Sequence, residues 1–152
     1  MSLYIREAEK KDIPVILALI KELAHFEKLS NEVFATEELL AHNLFEHQYA
    51  KILIAEYNNV PVGQALYFFN FSTFLSKPGI YLEDIYIKPD YRGKGIGKAL
   101  LKKIIEIAKE KKCGRVEWSV LKWNKSAIDF YLSLGAKPLE DWSIFRLKQE
   151  HF

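Results

Sequence analysis

The chain has 152 residues, 49% hydrophobic and 28% charged, with 22 basic and 20 acidic side chains and a net charge of +2. That size suits one domain, 1–152, and the balance excludes a disordered chain and gives no electrostatic footprint for nucleic acid. Cys113 is the single cysteine, so an intrachain disulfide and a cysteine-rich metal site are excluded, in keeping with a reducing, cytoplasmic setting.

Residues 4–6 read as a first strand. Charges at Arg6, Glu7, Glu9, Lys10, Lys11 and Asp12 break any apolar leader, and the longest apolar run, 13–20, is too short to span a bilayer, so no membrane contact is expected. Asp12 stands where a helix N-cap belongs, with Pro14 in the first turn. Ile13, Ile16, Leu17, Ile20, Leu23 and Ala24 then follow helical spacing to about residue 27. Thr36 predicts the start of a second helix through Leu39, Leu40 and Leu44, with Glu37 and Glu38 in its favourable first turn.

Strands follow at 52–57 and 61–71, joined by a hairpin turn at Asn58-Asn59. A third strand, 80–88, is interrupted by Glu83-Asp84. From Gly95, the residues Ile96, Leu100, Ile104, Ile107 and Ala108 mark one face of a helix that ends near Gly114, and its lysines read as a solvated outer face. Val116, Trp118 and Val120 alternate as a strand, 124–134 is a helix stopped by Gly135, and 142–147 closes as a last strand. The order β-α-α-β-β-β-α-β-α-β predicts an α/β fold: a mixed, mostly antiparallel sheet flanked by helices.

The segment from Tyr81 to Gly97 carries the chemistry. A strand runs through a Pro89 turn into Gly93, Gly95 and Gly97, then into an amphipathic helix. Backbone N–H groups in such a loop turn inward beside the positive end of the helix dipole, which suits a pyrophosphate. A P-loop is excluded because Gly97-Lys98 is followed by Ala99, and the G-x-G-x-G spacing differs from the dinucleotide fingerprint G-x-x-spaced at its end.

Arg92-Gly93-Lys94-Gly95-Ile96-Gly97 resembles the R/Q-x-x-G-x-G/A coenzyme A loop of the GNAT acetyltransferases, and the element order resembles their fold. Ile20 to Glu27, Tyr81-Leu82-Glu83-Asp84, and Trp123-Asn124 with Phe130-Tyr131 are closest to spermidine/spermine (diamine) and thialysine acetyltransferases. The resemblance implies acetyl-coenzyme A as co-substrate, a small-molecule amine as acceptor and a homodimer. It places Ile85, Tyr86 and Ile87 along pantetheine, with an N–H at Ile85 facing the acetyl oxygen. Arg92, Gly93, Lys94, Gly95, Ile96, Gly97 and Lys98 would cradle the pyrophosphate, while Asn124 and Ser126 would reach the pantetheine arm. Tyr131 would protonate the leaving thiolate, and Glu83 would help deprotonate the amine. Phe26, Glu27, Glu83 and Asp84 would bind the acceptor, for which a small polyamine is expected first. Thialysine, another amino acid, a protein amine, or coenzyme A binding without catalysis are the alternatives.

No metal is expected. His25, His42, His47 and His151 form no recognised motif, no two of them share an i, i+4 face, and His42 with Glu46 at that spacing reads as a surface pair.

Overall fold

Residues 2–152 are described by a computed structural model. By its internal packing the chain falls into two units, 1–119 and 120–152. The first unit holds five strands in the order β1-β2-β3-β4-β5: β1 (Leu3–Glu7), β2 (Lys51–Tyr57), β3 (Val60–Ser72), β4 (Lys77–Ile87) and β5 (Arg115–Trp118). The first three pairings are antiparallel and the last, β4 with β5, is parallel. The mixed sheet expected from the sequence is therefore present. Asn58 and Asn59 turn the β2–β3 hairpin with positive φ at both positions, as a two-residue turn requires.

Ile52, Leu53, Ile54 and Ala55 are all buried, so both faces of β2 are covered. On one face Ile52 and Ile54 join Ile16 of α1 (Ile13–Phe26), with Leu40 of α2 (Glu37–Leu40) packed alongside. A third α-helix of this unit, α3 (Ile96–Glu110), buries Ile96, Leu100, Leu101, Ile104 and Ala108, while Lys102, Lys103 and Lys109 stay exposed as a solvated face.

Two local expectations change. Asp12 precedes α1 but its carboxylate does not cap it; it accepts the Glu9 N–H at 2.7 Å and two bonds from Arg6 at 2.8 and 2.9 Å. Arg6 also reaches Glu56 at 3.1 Å, and its hydrogen bonds to Asp12 hold that carboxyl below its ordinary range. Thr36 does cap α2 through the Leu39 N–H at 3.1 Å, but after Leu40 the chain widens into a π-helix, Ala41–Glu46.

In the second unit Asn124 caps α4 (Lys125–Ser133) by accepting the Ala127 N–H, and Gly135 follows with φ +90°. The strand expected at 142–147 is not formed; those residues pair with none of the five described strands. Trp142, Ile144 and Phe145 alternate imperfectly, and apolar content alone makes no strand, because its hydrogen bonds must come from a partner.

Candidate active site

β4 and β5 pair only from Gly79↔Arg115 to Leu82↔Trp118. Beyond Leu82, β4 continues for five residues bonded to β3 alone, through Ala65↔Ile85, Gln64↔Tyr86 and Gly63↔Ile87. The edge formed by Ile85, Tyr86 and Ile87 thus carries backbone groups with no β5 partner, a template for an added extended chain. The opening coincides with a bulge. Leu66 faces Asp84 and Tyr67 faces Leu82, so Glu83 is the extra residue on β4. A charged pair inside an apolar strand was the sequence signal for it, and a bulge re-aims the side chains around it.

Glu83 is exposed and Asp84 is half-buried. Asp84 has its carboxyl pushed up to about 7, first by burial and then by the charges of Glu83 and Glu27. Burial raises Glu27 as well. Asp84 therefore lies within electrostatic range of both of the other expected acceptor-side carboxylates, Glu83 and Glu27. From its ordinary value of 3.8 to about 7, the folded chain retains on Asp84 a proton that the unfolded chain has lost. Its contribution to stability is fullest below about pH 4, falls as pH rises, and levels off above about pH 7. Asp84→Asn removes that penalty. Urea titrations should show it more stable than the parent at pH 8 by about 1 kcal/mol or more, with the gap closing towards pH 4. A gap that does not change with pH would mean that Asp84 titrates normally.

After β4, a single turn at Pro89–Tyr91 leads to Arg92 and the glycines. Gly93 and Gly95 both have φ +79°, and a Cβ added at either would meet no protein atom within 4 Å. Their need for glycine is thus conformational, and the space beside them is open. Gly97 differs: an added Cβ would sit in ordinary contact with Ile87, 3.9 Å away. Gly95 is the N-cap of α3 without a side-chain cap, and the first bond within the helix runs from Ala99 N–H to Gly95 C=O at 3.0 Å. The amides of Ile96, Gly97 and Lys98 precede that bond, at the positive end of the helix. Lys94 and Lys98 are exposed beside them.

Arg92 does something the sequence did not reveal. Its Nε–H donates to Ile87 C=O at 2.9 Å, and its guanidinium lies 4.8 Å from the Phe26 ring centroid and 5.4 Å from that of Tyr86. Tyr86 donates its hydroxyl to Glu22, which also pairs with Lys88 at 2.6 Å. The end of α1 and the start of the glycine loop are tied through one cation stacked on two rings. These partners are 66 positions apart, beyond any local signal.

In the second unit Asn124 is engaged as the α4 cap, and Ser126 Oγ–H donates to Asn124 Oδ1 at 3.3 Å. Tyr131 lies one residue after Phe130, ring centroids 5.7 Å apart.

A mostly antiparallel sheet that turns parallel at its last pair, opens there, and leads into a glycine turn and helix defines the acetyltransferase class of α/β fold. Residues 17–136 match the Acetyltransferase (GNAT) family, and the chain belongs to that family and is an N-acetyltransferase. It is 45% identical to the thialysine N-epsilon-acetyltransferase of Bos taurus, over 96% of this chain and 92% of that one. It is 37% identical to spermidine/spermine N(1)-acetyltransferase-like protein 1 of Homo sapiens, over 96% of this chain and 22% of that longer one. Among solved structures, an integron cassette protein from the mobile metagenome of V. cholerae superposes with a TM-score of 0.82 at 26% identity, covering 99% of this chain and 95% of that one.

Proposed function

We propose that this chain transfers an acetyl group from acetyl-coenzyme A to the terminal primary amine of a small aliphatic acceptor of thialysine or polyamine type, both units serving one acetyltransferase domain. The observation that carries the proposal is Asp84, half-buried at the bulge where β4 parts from β5, next to Glu83 and within electrostatic range of both Glu83 and Glu27. A local acidic group in a slightly basic chain suits a cationic acceptor. The relative named for thialysine sets that amine beside the polyamine expected from sequence.

The chain's own features fit the co-substrate. The edge at Ile85, Tyr86 and Ile87, unpaired with β5 although Ile87 C=O accepts from Arg92, can pair with the amides of pantetheine, and the Gly93–Lys98 turn offers the first N–H groups of α3 and open space for a pyrophosphate. Bound acetyl-coenzyme A supplies the acyl group and a thiolate leaving group. The remaining work falls to side chains. Glu83 accepts the amine proton, directly or through water, and Asp84 with Glu27 holds the ammonium before it is deprotonated. Tyr131 donates the proton that the thiolate takes up, and Asn124 and Ser126 steady the pantetheine arm.

We also propose a homodimer in the cytoplasm. Phe69, Phe71, Phe74 and Leu75 are exposed on the β3–β4 hairpin and support a self-association surface.

The test is kcat/KM for thialysine, spermidine and a lysine peptide, measured on the parent and on Glu83→Gln at one salt concentration. Both small amines should exceed the peptide, and Glu83→Gln should lose at least about tenfold on each. Preference for the peptide, or an unimpaired Glu83→Gln enzyme, would overturn the reading.

A further inference from the structure

The π-helix after α2 gathers three side chains that acetyl transfer leaves unused. In an α-helix, residues five apart point about 140° away from each other, which puts His47 off the His42–Glu46 face. Here the hydrogen bonds step five residues, and His47 N–H donates to His42 C=O at 3.0 Å. The wider turn swings residue i+5 back towards residue i. The rings of His42 and His47 meet edge to face with centroids 4.4 Å apart, and His42 Nδ1 lies 3.0 Å from Glu46 Oε2. One ligand atom from each of His42, Glu46 and His47 falls within 4.8 Å of the others, the one such group of three among the described residues. A parallel stack on Tyr49, at 5.5 Å and 16°, steadies His47.

We propose that His42, Glu46 and His47 form a surface site for a divalent transition metal, zinc first, separate from the acetyl-transfer chemistry. Two imidazoles and one carboxylate are a donor set that zinc accepts, whereas magnesium and calcium prefer oxygen alone. Zinc bonds of about 2.0–2.1 Å in a tetrahedron place ligand atoms about 3.3 Å apart. The three atoms already span 3.0 to 4.8 Å, and all three side chains are exposed and can close the remainder by rotation. One carboxylate charge offsets half of the dication, and water completes the coordination. On binding, the His42–Glu46 hydrogen bond gives way to two metal bonds. The His42 imidazole then keeps its hydrogen on Nε2, the tautomer that frees the Nδ1 lone pair. The ion favours the wide turn over an α-helical one, because only the wide turn presents both histidines together.

The untagged chain, stripped with a chelator, should be titrated with zinc chloride by calorimetry. The expected result is one saturable zinc per chain, weakened at least about tenfold by His47→Ala and by Glu46→Gln. Cys113→Ser, which removes the one thiol, should leave it unchanged. Zinc should also raise the melting temperature of the parent but not of His47→Ala, a difference that altered surface charge alone would not produce. Cobalt titration should give the visible absorption of a low-symmetry site in the parent and lose it in His47→Ala. No saturable binding, binding indifferent to both variants, or binding lost in Cys113→Ser would overturn the proposal.

Discussion

Gly95→Asp should abolish detectable binding of acetyl-coenzyme A while leaving the fold in place. Gly95 has φ +79° and ψ 11° at the N-cap of α3, a region where aspartate is tolerated better than most residues. An added Cβ meets no protein atom within 4 Å, so the substitution brings no clash and costs about 1–2 kcal/mol in backbone preference at most. Part of that cost is offset, because a carboxylate at a helix N-terminus gains from the dipole. The same gain is the reason that binding should fail. The new carboxylate would compete for the Ile96, Gly97 and Lys98 amides at the start of α3, and its charge would repel phosphate oxygens. Gly95→Asn, matched in size but neutral, separates bulk from charge and should retain weak binding. Calorimetry at two salt concentrations should also show the parent's affinity falling with added salt. Unchanged affinity in Gly95→Asp, with its melting curve intact, would remove the glycine turn from coenzyme binding.

How much of this was legible in the chain depends on the range of the interactions. The glycine turn and α3 could be read because strand, Pro89, glycines and the Ile96–Leu100–Ile104 face are contiguous. The bulge was legible as two carboxylates in an apolar strand, although only the pairing of Leu66 with Asp84 and Tyr67 with Leu82 assigns Glu83 as the extra residue. Local rules favour aspartate as a cap at Asp12, but the half-buried Arg6, drawn in from β1, takes its carboxylate instead. The π turn was hidden because Leu40 and Leu44 bury acceptably on either helical pitch, whereas the histidine geometry depends on which pitch is adopted. The Arg92–Phe26 stack joins distant segments through the fold itself, and no spacing announces it. Patterns within about one element were thus readable. Choices settled by a partner from elsewhere were not.

Tyr131→Phe should lower turnover by about 100-fold or more while leaving acetyl-coenzyme A binding near that of the parent, the scale expected for losing a general acid. The substitution deletes one oxygen and keeps the ring, so the contact with Phe130 on α4, at 5.7 Å between centroids, survives. The α4 cap at Asn124 lies seven positions away and is untouched. A phenol with an ordinary pKa near 10 protonating a thiolate near 8.5 is uphill by about 2 kcal/mol in free solution. A general acid here needs either a site that lowers the phenol's pKa or proton delivery as the bond breaks, and in the second case the gain belongs to the transition state rather than to the bound ground state. Such a contribution appears in kcat and not in the affinity for the co-substrate. The measurement is single-turnover thiol release together with calorimetric affinity, on the parent and Tyr131→Phe. A matched loss of affinity and rate would assign Tyr131 to packing. A variant that turns over as fast as the parent would remove its hydroxyl from the reaction.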